Sequence, residues 1–112
     1  MSEFKELSRS VKGSRILVTG AASGMGRATA RVFAAEGAVV AATDFNAEGA
    51  EAVAAELRAK GQHAKAWKLD VGNAAEIKSV VSAIAAEFGG LNIVVNNAGI
   101  SGTSAIDGAR QS

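Results

Sequence analysis

The residues best suited to do chemistry in this chain are Gly20, Ser23, Gly24, Met25 and Gly26, in the run Thr19-Gly20-Ala21-Ala22-Ser23-Gly24-Met25-Gly26 that follows the apolar Ile16-Leu17-Val18. Strand, glycine turn and helix are expected in that order. Such a turn bares backbone N–H groups and admits a phosphate without side chains in the way, and the positive end of the helix dipole favours the anion. The spacing is Gly-x-x-x-Gly-x-Gly rather than the Gly-x-Gly-x-x-Gly of the common dinucleotide fingerprint. Arg27 and Ala28 after Gly26 exclude the Gly-Lys-Ser/Thr ending of a P-loop. A second candidate, Asp44, closes another apolar run about 24 residues after Gly20, near the spacing at which an acid accepts hydrogen bonds from both hydroxyls of an adenosine ribose. Its charge opposes a 2′-phosphate by on the order of 1–4 kcal/mol at contact distance, or roughly ten- to several-hundred-fold in affinity. NAD is therefore expected over NADP. The alternative for Asp44 is a purely local role, capping the next helix or sitting in a solvated turn.

Other chemistries find little support. Cysteine is absent and there is one histidine, so neither a thiolate nucleophile, a disulfide framework nor a His/Cys metal cluster can be assembled. With 12 basic against 11 acidic residues, a formal net charge of +1, and both signs spread along the chain, nothing marks a nucleic-acid or anionic-membrane partner. The start Met1-Ser2-Glu3-Phe4-Lys5 lacks an apolar signal core, and no apolar run approaches the roughly 18 residues that span a bilayer. A soluble, cytoplasmic chain with one core is expected.

The elements that must position these residues follow from periodicity. Short β-branched runs alternate with longer stretches at helical spacing, the pattern of βαβ units on a parallel sheet. After a lead-in over residues 1–13, strands are expected over residues 15–19, 38–44, 63–69 and 91–96. The first helix is expected over residues 24–36, burying Met25, Ala28, Thr29, Val32 and Phe33 against the sheet. A second begins after Asn46 as N-cap, buries Ala50, Val53, Ala54 and Leu57, and stops at Gly61. A third is announced by Asn73 with Glu76, a capping-box pattern, and buries Ile77, Val80, Val81, Ile84 and Phe88. The unbroken apolarity of the second strand places it inside the sheet, whereas Lys65 and Lys68 place the third at an edge. His63 reads as a surface residue of that edge and Trp67 as packing between sheet and helix. Residues 101–112 read as loop or the start of a further helix.

Two more motifs stand at strand ends, Leu69-Asp70-Val71 after the third strand and Asn96-Asn97-Ala98-Gly99 after the fourth. Strand carboxyl ends are where open α/β sheets bind ligands. With these four motifs in this order, about residues 10–100 resemble the N-terminal half of the short-chain dehydrogenase/reductase family. The resemblance implies a Rossmann-like, doubly wound parallel sheet, here of about four strands in the order 3-2-1-4, with residues 14–100 as the NAD-binding half-domain. It implies that Gly20, Ser23, Gly24, Met25 and Gly26 line the pyrophosphate. Asp44 and Phe45 would meet the adenosine ribose, Asp70 and Val71 the adenine, and Asn97, Ala98 and Gly99 the ribose and nicotinamide end. Asn96 and Gly26 could instead be structural, the first tying neighbouring strands and the second allowing helix–sheet contact.

One departure from the family matters for function. Members use a later Ser and a Tyr-x-x-x-Lys pair to move a proton at the substrate oxygen, and this chain contains no tyrosine. The chain is therefore expected to be the cofactor-binding half of an oxidoreductase whose full-length form moves hydride between NAD and a small alcohol or carbonyl compound. The alternatives are a nucleotide-binding module without turnover and a self-associating fragment with an unused pocket. A bare fourth strand, Ile93-Val94-Val95, is expected to be covered by a second copy of the chain or by an associated C-terminal half. A methyltransferase fold also carries an acid after its second strand, but the acid-x-Gly-x-Gly-x-Gly loop it uses is missing here.

Overall fold

The computed structural model describes residues 11–97, so the expected loop over residues 101–112 and most of the lead-in lie outside the described residues. Four strands, β1 (Arg15–Thr19), β2 (Val39–Asp44), β3 (His63–Lys68) and β4 (Ile93–Asn96), alternate with three helices, α1 (Gly24–Ala35), α2 (Ala47–Ala59) and α3 (Ala74–Phe88). The strands form one parallel sheet in the order β3-β2-β1-β4. This is the doubly wound arrangement expected from the motif order, with β3 and β4 at the edges.

Each face of the sheet has its own core. On one side Ile16, Val18, Val40 and Ala42 meet Ala30 and Ala34 of α1 and Val53, Ala54 and Leu57 of α2. On the other, Leu17 and Ala41 meet Ile84 of α3, with Trp67, Val80, Val81 and Phe88 packed around them. Alternate residues of β1 and β2 therefore point to opposite cores, and both strands are apolar nearly throughout because both faces are covered. Thr43, fully buried in β2, meets its polar requirement by donating its hydroxyl to the Val18 carbonyl at 2.9 Å.

Both expected N-caps form: Asn46 Oδ1 accepts from Gly49 N–H and Asn73 Oδ1 accepts from Glu76 N–H, each at 3.0 Å. The other arm of the expected capping box is replaced, because Asn73 N–H donates to the Asp70 carbonyl at 3.0 Å rather than to the Glu76 side chain. The apolar stripe of α2 is the expected one, with Ala50, Val53, Ala54 and Leu57 buried. Trp67 makes an edge-to-face contact with Phe88, ring centroids 5.6 Å apart, and His63 is exposed at the sheet edge.

Helix α1 corrects the expected stripe. Its buried residues are Gly26, Ala30 and Ala34, while Met25 and Val32 are 70% and 55% exposed and only Thr29 and Phe33 of the expected set are half-buried. Small residues at i, i+4 and i+8 let the helix lie against the first βα turn, an approach that larger side chains on that face would prevent. In α3 only Ile84 is fully buried, and Ile77, Val80, Val81 and Phe88 are half-buried. Four boundaries also move inward: α1 ends at Ala35 rather than residue 36, β2 begins at Val39 rather than residue 38, β3 ends at Lys68 rather than residue 69, and β4 begins at Ile93 rather than residue 91. Leu69 still bonds to the sheet, its N–H donating to the Asp44 carbonyl at 2.9 Å.

Candidate functional site

The carboxyl ends of all four strands open onto one cleft of about 430 Å³, lined by Gly20, Ser23, Gly24, Met25, Gly26, Asp44, Phe45, Leu69, Asp70, Val71 and Asn97. Every described residue singled out from the motifs as a candidate cofactor contact lies on it. Ala98 and Gly99 lie outside the described residues. Leu69 is the addition. It is buried at the last step before Asp70, where periodicity marks it only as a strand residue, although its place beside the acid is a signal that could have found it.

The floor of the cleft is the turn from β1 into α1. Gly20 and Gly24 sit at φ +64° and +59°, left-handed conformations that carry a steric cost for side-chain-bearing residues. Gly26 has ordinary dihedrals but no room: a Cβ there would lie 1.9 Å from the Gly20 carbonyl oxygen. Helix and turn are in backbone contact at that point. Among the described helices α1 is also the one whose start no side chain satisfies. Ser23 caps it without a side-chain hydrogen bond and its first turn holds no acid, whereas α2 and α3 have Asn caps with Glu48 and Glu76 in their first turns. The first amides of a helix lack intrahelical acceptors, and Ser23 to Gly26 at this helix start line the cleft, the arrangement that holds an anion.

The two acids flank this floor and each also carries a structural bond. Asp44 Oδ2 accepts from Ala22 N–H at 3.0 Å and its Oδ1 from Asn46 N–H at 2.8 Å. Asp70 Oδ1 accepts from Gly72 N–H at 2.9 Å. Local and ligand-facing roles are thus compatible, because an ionised carboxylate offers about four acceptor sites. Phe45, 66% exposed, adds an apolar surface beside Asp44, with the Lys68 ammonium 5.0 Å from its ring centroid. At the far end Asn97 Nδ2 is buried with no hydrogen-bond partner among the described residues, a donor left for something in the cleft. Neighbouring Asn96 instead serves the sheet. Its Oδ1 accepts the Thr19 hydroxyl at 2.8 Å, tying β4 to β1 through side chains.

The uncapped helix start, the glycine floor, the acceptors and the orphaned amide fit a dinucleotide. Comparison with known proteins gives the family. Residues 14–111 match the family model described as short chain dehydrogenase. The chain belongs to the short-chain dehydrogenase family. It is 46% identical over 104 residues to a D-threitol dehydrogenase of Mycolicibacterium smegmatis, covering 89% of this chain and 40% of that protein. With a galactitol 2-dehydrogenase of Agrobacterium fabrum it shares 48% identity over 92 residues, 82% of this chain and 35% of that one. Among solved structures, a hydroxysteroid dehydrogenase from Escherichia coli superposes with a TM-score of 0.75 at 31% identity, covering 77% of this chain and 37% of the other. The chain thus spans no more than two-fifths of the length of these relatives. Membership in the short-chain dehydrogenase family implies a nicotinamide dinucleotide, without choosing between NAD and NADP. No helix among the described residues is long and apolar enough to cross a membrane.

Proposed function

We propose that this chain is the cofactor-binding portion of an NAD-dependent short-chain dehydrogenase/reductase. The observation that carries the reading is that the uncapped start of α1 and the Asp44 carboxylate lie on one cleft at the strand carboxyl ends. In this reading the amides of Gly20 and Ser23 to Gly26 hold the pyrophosphate, and Asp44 with Phe45 receives the adenosine ribose. Asp70 and Val71 border the adenine, and Asn97, continuing into Ala98 and Gly99, follows the cofactor toward its nicotinamide. NAD, when bound, supplies a hydride acceptor for oxidation of an alcohol, or in its reduced form a donor for reduction of a carbonyl. Two relatives are named as polyol dehydrogenases, threitol and galactitol, in keeping with a small alcohol as substrate. This chain has no tyrosine to exchange a proton with the substrate oxygen, so hydride transfer is assigned to the full-length protein and binding to this portion.

The same reading takes the protein as cytoplasmic and as part of an assembly that covers β4, the outermost described strand on that side, whose Val94 is 56% exposed on the face toward α3. The cofactor assignment is tested by following backbone amide resonances during addition of NAD. Shifts are expected at Gly20, Ser23 to Gly26, Asp70, Val71 and Asn97, with His63 unmoved. A spectrum that does not change, or changes only at β3, would remove the assignment.

A further inference from the structure

The β1–α1 turn is held from outside, by the end of β2. Ala21 N–H donates to the Thr43 carbonyl at 2.9 Å, and Ala22 N–H to Asp44 Oδ2 at 3.0 Å. Thr43 in turn donates its hydroxyl to Val18, at the end of β1. The other carboxylate oxygen of Asp44 takes Asn46 N–H at 2.8 Å, which fixes the acid to the start of α2. Opposite, Gly49 leaves room for the Ala22 methyl, since a Cβ at Gly49 would come within 2.7 Å of it. Asp44 is thus a two-armed latch between the first and second βα turns, and both arms are hydrogen bonds to a charged acceptor.

From this geometry we infer that Asp44 is a positioning residue for the diphosphate cradle, setting the shape of the Gly20–Gly26 turn as well as facing the sugar. The inference rests on the cofactor reading of the cleft. It makes a prediction opposite in sign to plain electrostatics. Removing a negative charge from the wall of an anion site should strengthen anion binding. Removing the latch should weaken it.

The experiment uses this chain and its Asp44→Ala and Asp44→Asn variants, with two readouts. The first is amide hydrogen exchange without ligand. In Asp44→Ala the Ala22 and Asn46 amides are expected to exchange about ten- to a hundredfold faster, from the usual strength of a hydrogen bond to a charged group. The Leu17 and Val18 amides of β1 should stay slow, showing that the variant is folded. Asp44→Asn retains one acceptor oxygen, so one of the two amides should stay slow. The second readout is NMR titration with inorganic pyrophosphate, which has no sugar for Asp44 to contact. Affinity is expected to fall about tenfold in Asp44→Ala and to recover in part in Asp44→Asn. An unchanged Ala22 amide in Asp44→Ala overturns the inference. So does equal or tighter pyrophosphate binding by that variant, or a parent chain that binds NAD but not pyrophosphate, and in those cases the cofactor reading survives. A parent chain that binds neither overturns both.

Discussion

At the scale of single residues, Gly26 shows how a backbone contact becomes a constraint on side chains. A methyl group at that position would need the space of the Gly20 carbonyl, so Gly26→Ala must push α1 away from the turn or distort the turn itself. Overpacking of this kind costs about 1–3 kcal/mol. Denaturant unfolding should show a lower midpoint at unchanged slope, and NAD binding should weaken with it. Gly26 and Asp44 are both legible in the sequence as chemistry-bearing residues because their types and spacing are unusual. The Asp44 bond to Ala22 is not legible there, because it joins the end of β2 to the turn after β1 and depends on the register of β1 against β2.

At the scale of elements, the helix caps can be read directly from local sequence, since a cap needs only residues within one turn. Asn73→Ala is expected to cost about 1 kcal/mol. By contrast, Ser23→Ala should leave thermal stability nearly unchanged, because the Ser23 side chain makes no cap bond. A comparison of melting temperatures checks both. The buried face of α1 departs from the expected one for a different reason. Met25 and Val32 are large apolar residues that hydrophobicity alone favours burying, yet they stay exposed while Phe33 packs half-buried against the core. Close approach to the sheet selects the small Gly26, Ala30 and Ala34 instead. Helices α1 and α2 are also joined across their surface, where Arg31 pairs with Glu56 through two hydrogen bonds of 2.8 and 3.0 Å. That hydrogen-bonded pairing holds the Glu56 carboxyl below its ordinary range and raises the Arg31 guanidinium. A depressed carboxyl favours the fold above its unfolded pKa, and the contribution is lost as pH falls through the folded value. Following the Glu56 side-chain carbon by NMR, its titration should lie below that of a free glutamate and return toward it in Arg31→Ala.

At the scale of the whole molecule, an apolar β2 is legible as an inner strand and β3 with its two lysines as an edge, while the full order β3-β2-β1-β4 follows from the resemblance that the four motifs carry. What covers the outer side of β4 is not legible, because an edge is defined by what lies beside it. The half-buried apolar face of α3 meets the same side of the sheet, where a groove of about 120 Å³ is bordered by Leu17, Ile77, Val81 and Val94. The architecture gathers the motifs on one rim: both cores fix the strand ends, the strand ends fix the turns, and the turns line one cleft. The most direct test of that chain of causes is a calorimetric comparison of NAD with NADP on this chain. Repulsion between Asp44 and a 2′-phosphate predicts that NAD binds tighter by roughly tenfold or more. Equal affinities, or a preference for NADP, would contradict the account.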